Sequence, residues 1–183
     1  MGSFYDVFFW ALIPTFIMFL AAVVLSTKKK YEAMNGPLGL AVIILFELPR
    51  FVLALLPQPT LGLPDLAAWI IGGAIFIVAM TFAGLGVYQI RIGALKLPNK
   101  EGKLQTSGIY GVVRHPIYFG DVFWPLGWSI MSNASYSLML SPLWLFILLL
   151  FSLVEEERLV EEYGEEYERY RQRVRKRVVP GII

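Results

Sequence analysis

The only histidine of the chain, His115, stands in the stretch YGVVRHPIYFGD, Tyr110 to Asp121, between an arginine and a proline. Further on, Glu155, Glu156 and Glu157 emerge directly from the apolar run LWLFILLLFSLV. Proline after His115 biases the histidine backbone toward extended geometry. Pro116 itself suits the first turn of a helix, where its missing N–H costs nothing. The segment therefore reads as a helix start, with free N–H groups and a positive dipole end that favour a carboxylate or phosphate. Tyr110, Arg114, His115 and Tyr118 surround that start. Three adjacent carboxylates repel one another, so Glu155 to Glu157 invite a cation, either a protein arginine or a positively charged ligand. A lone histidine is more often structural than chemical. No metal site is expected, since one histidine and no cysteine leave only carboxylates as ligands. The lack of cysteine also removes disulfides and thiol nucleophiles.

Hydrophobic elements must position these groups. Of 183 residues, 57% are hydrophobic and 16% charged, with a mean hydropathy of +0.62. Soluble domains are about 45–50% apolar and about 25% charged, so the balance points to a membrane protein of one domain, residues 1–183. A span needs about 20 mainly apolar residues, and five runs qualify: Phe4–Ser26, Leu38–Leu56, Leu66–Ile90, Ile117–Asn133 and Tyr136–Val154. The last two form a helical hairpin around SNAS. The first is too long for a signal-peptide core, lacks a basic leader and runs into KKK, so it reads as a retained span. Lys28 to Lys30, then Arg91, Lys96, Lys100, Lys103 and Arg114, then Arg158 onward all fall on one side; PQPTLGLPDL has no basic residue. The positive-inside rule puts the amino terminus outside and the carboxyl terminus in the cytoplasm, as in a prokaryotic cytoplasmic membrane. Within the second run, Arg50 lies three residues after Glu47 and can pair with it. The pair is either a polar wall for a substrate or an ion pair near the outer interface, which a kink at Pro49 opens to water.

Two polar segments remain. From Arg91 to Arg114, Pro98, Gly102 and Gly108 deny the chain a long helix, and a loop of this length beside a membrane domain is more often functional than idle. In the tail, Leu159, Tyr163, Tyr167, Tyr170 and Val174 recur at helical spacing and mark an amphipathic helix. Gly164 can interrupt it and Pro180 ends it. Its acidic residues precede its basic ones, which matches the helix dipole; the basic end, Arg169 to Arg177, suits an anionic leaflet. Antiparallel fourth and fifth spans bring the start after Tyr110 and the glutamates at Glu155 together on the cytoplasmic face. A ligand with both a carboxylate and a positive centre fits such a pair of ends, and S-adenosylmethionine is one.

GIYGVVRHPIYFG followed by EEERLVEEYGEEYERY resembles the isoprenylcysteine carboxyl methyltransferase family, and phospholipid N-methyltransferases share its broader pattern. The resemblance covers roughly Leu104 to Pro180. It implies an all-α membrane protein of five transmembrane helices that uses S-adenosylmethionine without a Rossmann domain. The cofactor pocket would be cytoplasmic, formed by the loop before the fourth helix, the hairpin of the fourth and fifth, and the amphipathic tail helix. Carried over residue by residue, Leu104, Gln105, Tyr110, His115, Pro116 and Tyr118 would line it, with Glu155 at the family's cofactor-binding glutamate and Glu156 beside it. Arg114 would face substrate. The prenylcysteine enzymes place a substrate-facing arginine four residues before that glutamate; this chain carries Phe151 there, a departure that bears on the acceptor and not on the cofactor.

The expected activity is methyl transfer from S-adenosylmethionine to a hydrophobic or lipid-like acceptor: carboxylate, amine or thiol. The residues nominate no general base. Membrane lipids are expected partners and nucleic acid is not. A competing enzyme class, NADPH-dependent membrane reductases of the sterol type, carries a related HPxYxG segment followed by an acidic residue, as Asp121 is here. Those reductases lack the Glu-Glu pair followed by YGEEY. A non-enzymatic scaffold would explain Arg169 to Arg177 well and Glu155 to Glu157 poorly.

Overall fold

The computed structural model describes residues 4–25, 37–95 and 103–179. It is helical throughout: α1 Phe4–Leu25, α2 Pro37–Leu53, α3 Asp65–Leu95, α4 Pro116–Met131, α5 Ser135–Met139, α6 Ser141–Tyr163 and α7 Glu165–Arg173. A 3-10 turn covers Gly108–Gly111, and no β-strand occurs among the described residues. Each of the five apolar runs is helical over most of its length. The fifth starts as the short α5 and continues as α6 after a break at Leu140. Asp65–Ile90 and Ser135–Tyr163 are long and apolar enough to cross a membrane. Leu66, Trp69, Ile70, Ile77 and Tyr88 stand exposed along α3. A surface this apolar suits lipid and not water, and the described residues are the all-helical part of a membrane protein. Lys28 to Lys30, Lys96, Lys100 and Pro180 lie outside the described residues.

In lipid the tails are as apolar as leucine, so helices hold together by close packing, and small residues let backbones approach. α3 and α4 use this device repeatedly. A Cβ on Gly72 would lie 2.6 Å from the Gly127 carbonyl oxygen, and one on Gly120 would lie 2.6 Å from that of Ala79. α1 packs on α2, while α6 crosses both α1 and α4. Met18, Phe46, Val122, Leu148, Phe151 and Val178 meet in the core these helices enclose.

Arg50 does pair with Glu47, at 2.9 Å, but it also reaches Asp121 on α4, at 2.5 Å to the carboxylate and 3.1 Å to the backbone oxygen. Its guanidinium lies 4.0 Å from the Phe46 ring centre and 5.1 Å from that of Trp124. The Arg50 side chain has no exposed surface, while that of Glu47 is 33% exposed. Two carboxylates and aromatic faces neutralise the cation in place of solvent.

On the opposite side from the Glu155 end, Asn133 takes a left-handed backbone with φ 54°. Its side-chain oxygen accepts from the Leu61 and Leu63 amides while its Nδ2 donates to the Leu63 carbonyl. One asparagine thus ties the α2–α3 loop to the hairpin. The tail helix is shorter than its periodicity implied. Gly164, φ 53°, splits it from α6, and α7 stops at Arg173 instead of at Pro180. Residues 174–179 then run back past the start of α4.

Candidate functional site

The two ends singled out in the sequence touch. His115 caps α4 with φ −123° and ψ 68°, and Pro116 takes the first helical position, as the X-Pro rule requires. Its ring stacks on Tyr118 at 5.2 Å. Nδ1 lies 3.3 Å from Glu155 Oε2, and Nε2 lies 3.2 Å from Glu156 Oε1. The glutamates of α6 therefore bracket the imidazole from both edges.

Arginines complete the network. Arg114 Nε donates to Glu156 Oε1 at 2.8 Å, and Arg114 Nη1 donates to the Val174 carbonyl at 2.7 Å. Arg177 grips Glu156 with two parallel bonds of 3.1 Å, one to each oxygen. A fork of this kind adds orientation as well as energy. The amides of Arg114 and His115 donate to the carbonyls of Lys176 and Arg177, both at 2.9 Å. Arg173 Nη2 donates to the Thr106 carbonyl, and the Tyr170 hydroxyl donates to the Tyr110 carbonyl. The tail straps the 103–115 segment against α6. Placing Arg177 on a lipid leaflet is corrected accordingly: it is a ligand of Glu156.

Beside this network opens a cavity of about 450 Å³, within the range of small-molecule sites. Of the residues expected there, Leu104, Gln105, Tyr110, Arg114, His115, Tyr118 and Glu155 line it. Pro116 and Glu156 do not, and neither does Phe151, which the resemblance assigned to the substrate. Pro116 is buried in the first turn of α4, Glu156 sits behind the wall at 4% side-chain exposure, and Phe151 belongs to the apolar core. Sequence reasoning missed Gln89, Ile90, Ile117, Lys103, Arg158 and Glu162, which also line it, and reads Leu159, Tyr163, Tyr167 and Tyr170 only as an apolar helix face. Gln89 had one legible signal. Gly108 has φ +63°, and its missing side chain leaves room for the Gln89 amide, whose oxygen accepts from the Ile109 N–H at 3.1 Å.

Burial of His115 opposes its positive charge, but the hydrogen bonds it donates to Glu155 and Glu156 outweigh this and hold its pKa above the ordinary 6.5. A folded-state pKa above the unfolded one gives stability that is complete below about 6.5 and fades as pH rises through the raised value. As the only histidine, it can be watched directly by NMR of imidazole-labelled protein in micelles. Its titration midpoint should exceed 6.5, and Glu155→Gln should bring the midpoint down. A midpoint at or below the ordinary value would contradict the bracketed geometry.

The sequence model of the phospholipid methyltransferase family matches residues 65–166. Among curated proteins, the protein-S-isoprenylcysteine O-methyltransferase of Schizosaccharomyces pombe is 40% identical over 78 residues, 42% of this chain and 33% of its own length. A delta(14)-sterol reductase of Ascobolus immersus is 34% identical over 87 residues, covering 44% and 19% respectively. That of Methylotuvimicrobium alcaliphilum is 30% identical over 143 residues, covering 64% and 32%. The chain thus spans between about a fifth and a third of the length of these relatives. No solved structure matches it.

Proposed function

Because the chain belongs to the phospholipid methyltransferase family, we propose that it transfers a methyl group from S-adenosylmethionine to a hydrophobic, lipid-like acceptor at the cytoplasmic face of a membrane. The observation that carries this reading is the meeting of the α4 start with Glu155 beside a cavity lined by both charges and tyrosines.

The residues fit the cofactor's chemistry. Glu155, with 29% of its side chain exposed, is one of two carboxylates that line the cavity, with Glu162, and suits an ammonium. Lys103, and Arg158 beside its partners Glu155 and Glu162, suit a carboxylate. Glu156 takes no part in binding; it orients His115 and Arg114 from behind. S-adenosylmethionine supplies a methyl carbon already activated by its sulfonium, so the protein's work is to position and desolvate. An acceptor carboxylate needs no base, whereas an amine or thiol must lose a proton. Ile117 and Ile90 give the cavity an apolar edge toward the α3–α4 pair, the side from which a lipid tail can enter.

The same reading takes α1, α2, α3, α4 and α6 as five crossings of one domain, with the amino terminus outside. Its support is that Lys103, Arg114 and the basic tail gather at the Glu155 end, while the α2–α3 loop holds no basic residue. The sterol reductase relatives favour a second reading, hydride transfer from NADPH, and it shares the same cavity.

Isothermal titration of S-adenosylhomocysteine into the detergent-solubilised protein tests the choice. The wild type should bind, and Glu155→Ala should bind about tenfold more weakly, as expected for one charge-assisted bond. No heat with S-adenosylhomocysteine, together with binding of NADPH, would transfer the site to the reductase reading.

A further inference from the structure

The cavity wall carries charged residues, Lys103, Arg114, His115, Glu155, Arg158 and Glu162. It also carries an aromatic cluster, in which Tyr110, Tyr163, Tyr167 and Tyr170 pack with Leu104 and Leu159. Within this second group the hydroxyls are not equivalent. That of Tyr170 donates to the Tyr110 carbonyl at 2.7 Å. That of Tyr167 is buried and has no hydrogen-bond partner among the described residues, although Tyr167 lines the cavity and is only 1% exposed.

An unpaired buried hydroxyl is costly, and native proteins rarely keep one without a reason. Burial pushes the Tyr167 phenol above its ordinary range and the Glu156 charge adds to this, so the group stays protonated and able to donate. An alkyl chain offers nothing to receive that donor. A flat heterocycle with acceptor nitrogens on its edge offers both a face for the tyrosine rings and an atom for the hydroxyl.

We infer that the tyrosine cluster of the cavity wall holds the adenine of the cofactor, with the Tyr167 hydroxyl donating to a ring nitrogen. This rests on the cavity being the cofactor site, but not on which cofactor fills it, because S-adenosylmethionine and NADPH both carry adenine. The hydroxyl is thus a specificity element that the free protein holds ready.

Tyr167→Phe removes one oxygen and keeps the ring. The full chain and this variant are compared in detergent by thermal melting and by titration with S-adenosylhomocysteine and, separately, NADPH. The variant should melt no lower than wild type, since the hydroxyl bonds nothing in the free protein, and should bind the cofactor about tenfold more weakly. Equal affinity for S-adenosylhomocysteine overturns the inference and leaves methyl transfer standing. A variant that melts well below wild type also overturns it, since the hydroxyl would then be holding the fold. Binding of NADPH alone, weakened by Tyr167→Phe, sustains the inference and removes methyl transfer. A wild type that binds neither ligand overturns both.

Discussion

Replacing Glu156 with alanine is expected to lower folding stability by about 3–5 kcal/mol, the loss seen when one partner of a buried ion pair is removed. The carboxylate is a hub. Its Oε1 accepts from Arg114 and Arg177 and meets His115, while Oε2 takes the second arm of Arg177. The side chains of Glu156 and Arg114 are 4% and 5% exposed. Without the carboxylate, Arg114 stays buried with only the Val174 carbonyl for company. Exposed ion pairs on the same helices are worth far less, typically about 0.2–1 kcal/mol, and the Glu165–Arg169 pair at 92% and 71% exposure is of that kind. Glu165→Ala therefore serves as the control, with a change within about 0.5 kcal/mol. Denaturant or thermal unfolding of both variants in micelles decides the matter. Equal losses in the two would mean that Glu156 braces nothing. Arg177→Ala should fall between them, because its side chain is 15% exposed and water can partly replace it.

That hub shows where sequence reasoning reaches and where it stops. The approach of His115 and Glu155 follows from local rules: proline fixes a helix start, hydropathy fixes two antiparallel neighbours, and the ends must then coincide. Neither rule concerns Arg177. It comes from the tail, twenty-one residues after its partner, beyond the break at Gly164 and on a strap without helical period. Charge pattern alone offered the lipid surface as its partner. The same limit hid Asp121 from Arg50, a pair separated by 71 residues; only the i,i+3 partner Glu47 was legible. Phe151 illustrates another limit. A family position carries over a residue's number but not its direction, and Phe151 points into the core with Leu148 and Val122. The tyrosines of α7 were correctly placed on one face by their spacing. Periodicity separates a covered face from solvent, yet cannot tell a core from a ligand wall, since both exclude water.

Gly127→Leu is expected to cost about 3 kcal/mol or more, at the upper end of overpacking losses, although it adds only apolar atoms in an apolar medium. A Cβ at this position would stand 2.7 Å from both the Gly72 carbonyl oxygen and the Phe76 amide nitrogen. Those are backbone atoms, so no rotamer change relieves the clash and α3 must move away from α4. Gly73 is the matched control. It neighbours Gly72 on α3, but nothing lies within 4 Å of its would-be Cβ. Gly73→Leu should be neutral or slightly stabilising, because leucine is the better helix former. The consequence of moving α3 reaches the site. Gln89 and Ile90 of α3 and Ile117 and Tyr118 of α4 form facing parts of the cavity wall. The Gln89 amide also holds the Ile109 N–H in the loop. Gly127→Leu should therefore weaken cofactor binding by about tenfold from a distance, as misplacement of a preformed site does, while Gly73→Leu leaves it intact. Melting and ligand titration of the two variants in micelles separate the outcomes. A Gly127→Leu chain as stable as wild type would show that α3 and α4 do not meet backbone to backbone. The glycines would then not be what holds the α4 start in register with the α3 end.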